Sequence, residues 1–430
     1  MLFEDITILD HNFEMQTGMN LVTSGDRITY IGKELPRDYE EDVYNGKNKV
    51  ILPGFFNIHC HIPMTLLRGY GEGLPLQRWL FEKMFPFEAR LRPKDCYWGS
   101  LLGAMEMIKS GVVSYTDMYF HIEDIIKATK ESGLKANISH GTSANPSIAN
   151  FKDLIAYKDT QRMLEILKFD NNDSIKIDIG LHAEYTSSES LVRQVAEYAK
   201  LNNLIVHTHI SETRSEHEKC KEKHGLTPLG YFKKCGLLEN PLIAAHCVWI
   251  EDEDFNIIKD NKVTPVYCVS SNLKLGSGFA PIKKMLDMGI RLGIGTDGAS
   301  SNNNLNMLEE IHIASLVNKG VTGDPQFMSP KEIIKIATLN GALSQAREDT
   351  GCIKVGNRAD VIVFDMDKAH LQPVFNVLSN IVYSASAEDI CLTMIDGKLV
   401  YKDGEFTSID SEKVIYESNK IKNRILSELA

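Results

Sequence analysis

The feature that most constrains this chain is an alternation. Between residues 50 and 297, eight short apolar runs are each followed by a segment of other character. The runs are VILPGFFNIH (50–59), GVVSYTD (111–117), LKANISH (134–140), IKIDIGLH (175–182), LIVHTHI (204–210), LIAAHC (242–247), KVTPVYCV (262–269) and IRLGIGTD (290–297). Segments between them, such as CYWGSLLGAMEMIKSG and SESLVRQVAEYAKLNN, carry a helical pattern. Apolar strands alternating with helices imply βαβ units and a parallel sheet. Eight repeats predict a closed barrel rather than an open sheet. The expected fold class is therefore α/β, a (β/α)₈ TIM barrel.

The two ends of the chain read differently. FEDITILD and DRITYIG alternate apolar and polar residues around a turn at Gly25-Asp26. ADVIVFD (359–365) and ICLTMIDGKLVYKDGEF (390–406) do the same, with hairpin signals at Asp396-Gly397 and Asp403-Gly404. These segments predict one small β-sandwich domain built from both chain termini. The closing SEKVIYESNKIKNRILSELA has helical amphipathicity, with Ser411 as its expected N-cap. The expected division is 1–50 with 355–430 as the composite small domain and 51–354 as the barrel. A length of 430 residues accommodates that pair.

Charge and cysteine usage narrow the function. The formal net charge of −11 makes the chain a poor binder of nucleic acid, which relies on Lys and Arg at phosphates, but leaves small molecules open. The N-terminus shows no secretory signal pattern, and no run of 18 apolar residues predicts a membrane span. Eight cysteines lie singly without a C-x-x-C, which points to a reducing compartment, the cytoplasm, and away from a structural zinc knuckle. A homo-oligomer is the expectation for a soluble enzyme of this kind.

Residues of ligand type fall at the C-terminal ends of the runs: His59 and His61, His182, His209, His246 and Asp297. In a barrel these ends meet on one face, where active sites lie. His59 and His61, two apart, point the same way from a strand and can reach one metal; the alternative is a pair of histidines capping the strand. Of His207 and His209, the second is nearer the strand end and three residues before Glu212, so His209 is the candidate ligand and His207 a core histidine one layer deeper. Glu212 offers an acid–base group, or else an ordinary carboxylate at a helix start. His246 is either a buried hydrogen-bonding residue or a contact to the attacking water. Asp297 is either a turn or N-cap residue or a carboxylate that ligates metal and takes a proton. Three histidines and an aspartate suit one catalytic Zn²⁺, or Fe²⁺ in a similar site. The fourth run ends in His182 rather than lysine, so one metal is expected rather than a bridged pair. The long stretch 62–92 after the first run, with Arg68, Trp79 and Glu88, reads as a functional insertion.

PGFFNIHCH, HISET, AAHCV, SNLKLGSG and GTDGASSNNNLNM together resemble the amidohydrolase superfamily, in its mononuclear deaminase and chlorohydrolase branch. Within that branch, PMTLLRGYGEGLPLQRWLFEKMFPFEARL is similar to the 5-methylthioadenosine/S-adenosylhomocysteine deaminases. The resemblance implies that His59, His61, His209 and Asp297 bind the metal, that Glu212 carries a proton to the purine ring, and that His246 holds the attacking water. It implies further that Glu88 meets the ribose hydroxyls, that His182 is a second nucleoside contact, and that Trp79 walls the pocket. Trp79 reads equally as core packing on a helix face. One departure stands out: the third run continues as NISHGTSANPSIAN, with His140 and no arginine for a substrate carboxylate. That favours adenosine, 5′-deoxyadenosine or methylthioadenosine as substrate. A sister expectation is a deaminase or chlorohydrolase of another heterocycle, a guanine-like base or an s-triazine, which would have no ribose for Glu88.

Overall fold

The computed structural model describes residues 1–35, 42–143, 150–170 and 173–430. Eight parallel strands follow one another around a barrel: Phe55–Cys60, Val112–Tyr119, Lys135–Thr142, Ile179–Leu181, Val206–Ile210, Leu242–His246, Val263–Tyr267 and Gly293–Ile294. The preceding Ile175–Ile177 pairs with the third strand and is separated from the fourth by Asp178. The ring is nearly closed where the eighth strand meets the first. Asp297 N–H donates to the His59 carbonyl at 2.9 Å, and Thr296 N–H donates to Asn57 Oδ1 at 3.0 Å. Gly295 permits this approach, because a Cβ there would lie 2.8 Å from both the backbone N and O of His59.

The run 50–59 is two strands rather than one. Lys49–Pro53 joins the terminal sheet and Phe55–Cys60 begins the barrel, with Gly54 at the break. The terminal sheet is mixed and, among the described residues, has nine strands from both ends of the chain; Lys49–Pro53 links the N-terminal strands to Val361–Asp365. Alternation gives this sheet two apolar faces. Val50, Leu52, Ile362 and Phe364 join the barrel core, while Ile51, Val361 and Val363 pack with Phe3, Ile6 and Leu392 into a second core. The second core draws on the sheet itself and the adjoining Ile353 and Ala359, so the sheet curls over its own apolar face. Both expected tight turns form, with positive φ at Asp396 and Gly397 and at Asp403 and Gly404. The last helix, Ser411–Leu429, is capped by Asp410, whose side chain accepts from Lys413 N–H; Ser411 is its first residue rather than its cap.

The barrel floor is stitched to the terminal sheet by charge. Lys135 Nζ, almost fully buried, meets Asp360 at 2.6 Å and Asp396 at 2.7 Å. Arg358 reaches Asp26, Asp173, Asp349 and Asp396. All eight cysteines are free, and no helix among the described residues is long and apolar enough to cross a membrane.

Candidate active site at the barrel rim

The C-terminal strand ends gather the expected residues around one centre. The ligand atoms of His59, His61 and Asp297 lie within 4.8 Å of one another, and so do those of His59, His209 and His246. His59 Nε2 and His61 Nε2 each stand 3.3 Å from Asp297 Oδ1, and His61 Nε2 stands 3.3 Å from His209 Nε2. Corners of a tetrahedron ~2.0–2.1 Å from its centre are ~3.3–3.4 Å apart, so this spacing fits a tetrahedral cation. His59 Nε2 is buried without a hydrogen-bond partner. An orphaned buried nitrogen beside a carboxylate is a fit for a metal ligand.

The outward nitrogen of each imidazole is tied down, which aims the inward one at the centre. His61 Nδ1 donates to the Met118 carbonyl at 2.6 Å, and His209 Nδ1 donates to the His182 carbonyl at 2.8 Å. His59 Nδ1 is bonded to His207 Nε2 at 2.7 Å. His207 is therefore more than a core histidine: it orients His59. Burial lowers the His59 imidazole to about 4 against the pull of Asp297. At His61, burial is outweighed by the hydrogen bond and charge of Asp297, which raise it to about 9. A site whose carboxylate draws a proton onto a buried imidazole is a site that calls for positive charge.

Asp297 is held by two hydroxyls. Ser271 Oγ and Ser301 Oγ donate to its Oδ2 at 2.6 and 2.8 Å, which leaves Oδ1 toward the histidines. Burial opposes ionisation, but the His59 and His61 imidazoles, each with Nε2 3.3 Å from Oδ1, hold this carboxyl well below its ordinary range. His246 Nδ1 donates to Asn272 Oδ1 at 2.9 Å, and its Nε2 stands 3.9 Å from Glu212 Oε2. Both His246 and Asp297 have positive φ, 71° and 60°. Strain of this kind at non-glycine residues collects at functional sites. Glu212 precedes the helix Arg214–His224 and its N-cap Thr213, so its carboxyl is not part of the helix start. Burial raises that carboxyl.

A cavity opens above these residues. His61, His182, His209, Glu212, His246 and Asp297 line its deep end. Trp79, Leu80, Phe85, Met118, Tyr119 and Phe120 make its walls largely apolar, as small-molecule sites usually are. Trp79 is also well buried, so it serves both wall and core. Glu88 faces the cavity and accepts from Tyr119 Oη at 2.7 Å; burial raises its carboxyl. Burial, with the nearby His61 and His246, lowers the His182 imidazole to about 4, so it enters the cavity wall as a neutral ring. Arg68 points away, paired with Glu106 at 2.7 Å. His140 is buried beside Asp159 at 3.6 Å and is not a cavity-lining residue. Among the described residues the cavity lining includes no lysine or arginine. Residues 144–149 of the expected arginine-free stretch lie outside the described residues.

Sequence reasoning gave no role to Ser271, Asn272, Ser301 and Tyr119. Ser271 and Asn272 sit in SNLKLGSG and Ser301 in GTDGASSNNNLNM, motifs quoted above only for resemblance.

Residues 50–400 match the amidohydrolase family. The chain belongs to that family. It is 39% identical over 423 residues to the 5-methylthioadenosine/S-adenosylhomocysteine deaminase of Thermoanaerobacter pseudethanolicus, covering 98% of each chain. It is 42% identical to the protein of the same name from Acetivibrio thermocellus, covering 91% of this chain and 90% of that one. Its fold is similar to the crystal structure of an adenosine deaminase from Xanthomonas campestris with bound zinc, at a TM-score of 0.93 and 27% identity, covering 99% of this chain and 98% of the other.

Proposed function

We propose that this chain is a metal-dependent hydrolytic deaminase, converting an adenosine-type nucleoside and water to the inosine-type product and ammonia. The observation that carries this is the gathering of His59, His61, His209 and Asp297 at the rim, with His59–Asp297, His61–Asp297 and His61–His209 each 3.3 Å apart and Glu212 and His246 on the cavity side. His59, His61, His209 and Asp297 would hold the ion, Zn²⁺ or Fe²⁺ by ligand type. When bound, the ion supplies Lewis acidity that makes water nucleophilic near neutral pH.

The side chains account for the protons. Asp297, kept ionised, accepts one proton of the attacking water as the C6–O bond forms. Glu212, whose carboxyl burial keeps protonated further up in pH, donates to the adjacent ring nitrogen, so negative charge does not accumulate on the purine. His246, with Nδ1–H committed to Asn272, offers the Nε2 lone pair to orient the water. On collapse the Asp297 proton leaves with the amino group as ammonia, the C6 hydroxyl proton returns to Glu212, and the ring nitrogen keeps its proton. Glu88, steadied by Tyr119, takes the ribose hydroxyls; His182 and Trp79 complete the nucleoside site. The absence of a cationic side chain from the described cavity lining supports a preference for adenosine, 5′-deoxyadenosine or methylthioadenosine over a 5′ substituent bearing a carboxylate. Eight unpaired cysteines support a reducing, cytoplasmic setting.

Ammonia release across a panel tests this. Adenosine, 5′-deoxyadenosine and methylthioadenosine are expected to turn over fastest and S-adenosylhomocysteine more slowly. Release from guanine or an amino-s-triazine with none from any nucleoside would overturn the substrate assignment, since neither brings a ribose to Glu88.

A further inference from the structure

Behind Glu212 stands a second carboxylate. Glu216, in the first turn of the helix Arg214–His224, folds back on the segment that carries Glu212. Its Oε1 accepts Ser211 N–H at 2.9 Å, and its Oε2 accepts Glu212 N–H at 3.1 Å and Thr213 N–H at 3.4 Å. Thr213 Oγ1 returns a bond from Glu216 N–H at 3.3 Å. A capping-box glutamate ordinarily takes the N–H of the cap residue, here Thr213. Glu216 takes two more, those of the residues before it. Ser211 is held at a φ of 49°, a left-handed conformation that persists only when its surroundings over-determine it.

The grip is itself supported. Glu184, from the loop after the fourth strand, stands near Glu216, and both side chains are buried. Burial raises both carboxyls, Glu184 to about 7, and at Glu216 the neighbouring Glu184 and Glu212 carboxyls add to the rise. Ser211 Oγ meets His217 Nδ1 at 3.1 Å, which closes the cage from the helix side. These contacts do not reach the cavity, whose lining includes Glu212 but not Glu216.

We propose that Glu216 is a positioning residue for the reaction: by taking three consecutive backbone N–H groups it sets where the Glu212 carboxyl stands in the cavity. This rests on Glu212 being the proton-transfer group. A helix cap and a positioning residue differ in what their loss moves. A cap lost lowers stability; a proton donor displaced by ~1 Å can cost about 10²-fold in rate.

The test is a double-mutant cycle between Glu216→Gln and Glu212→Gln, with kcat, KM, thermal midpoint and metal content measured for each protein. The glutamine keeps the shape of Glu216 but turns a donor amide toward at least one backbone N–H. Glu216→Gln is expected to lower kcat about 10²-fold, to leave KM within about threefold and to keep the metal. In the Glu212→Gln background the same change should cost less than about twofold, because the group it positions is gone. Equal losses in both backgrounds, or a lowered thermal midpoint with kcat of the folded protein intact, would overturn the proposal. Should Glu216→Gln not fold, Glu216→Asp keeps the carboxyl, withdraws it by one methylene and is read in the same cycle. A wild type that deaminates guanine but no nucleoside would overturn only the substrate assignment, and the cycle is then read on guanine.

Discussion

The two ends of the barrel are built on opposite principles. At the floor, cations are paired across the two sheets: the buried Lys135 has Asp360 and Asp396, and the half-buried Arg358 has four aspartates. At the rim, buried polarity is left open: His59 Nε2 and Asn272 Nδ2 have no hydrogen-bond partner, and His246 and Asp297 sit in strained backbone. The floor spends its polar groups on joining two sheets. The rim leaves some of them without a protein partner. Strain at one end persists only if the rest of the structure holds it.

That contrast can be broken by experiment. The largest effect should come from chelation, which is expected to remove all deaminase activity and to be reversed by added Zn²⁺; activity that survives exhaustive chelation with no metal by elemental analysis would dissolve the contrast. Next is Asp297→Asn. Asparagine tolerates the left-handed φ at this position, so the protein should fold, yet kcat/KM should fall by at least about 10³-fold, within the range a proton-transfer group supplies, with metal content reduced. The mirror experiment at the floor is Lys135→Met. It strands a buried Asp360 carboxylate and should cost about 3–5 kcal/mol in urea unfolding while kcat/KM of the folded protein stays unchanged. A loss of activity equal to that of a rim variant would show that floor and rim are not separable.

Two smaller effects sharpen the picture of the rim. Glu88→Gln should raise KM for nucleosides about tenfold, the scale of a charge-assisted hydrogen bond, with little change in kcat; an unchanged KM would remove Glu88 from the ribose. Last is the pH profile. A carboxyl raised by burial stays protonated further into the neutral range than a surface glutamate and is lost as pH rises through its pKa. The alkaline limb of kcat/KM should therefore report Glu212 and should disappear from the residual activity of Glu212→Gln.

Most of the barrel was legible because its signal is periodic: apolar runs, helical spacers and chemistry at the strand ends each repeat. The composite terminal domain was legible from alternation and Asx-Gly turns at both ends. What stayed hidden needed three dimensions. The split of residues 50–59 between two sheets leaves a continuous apolar run, because Lys49–Pro53 and Phe55–Cys60 are both buried. His207 reads as core until His59 is seen against it, and Ser271, Ser301 and Asn272 are unremarked polar residues until Asp297 and His246 stand beside them. Glu216 was visible as the end of a T-x-x-E capping pattern, but not that its reach extends back to Ser211.

The Lys135 bridge also says something about how the polypeptide is made. Its partners lie 225 and 261 residues further along. On the ribosome, the third strand emerges long before either acid does, and loop closure over such a separation is slow. Until Asp360 and Asp396 are synthesised, Lys135 lacks both of these partners, and this tie between barrel and terminal sheet can close only after the third strand has long been made.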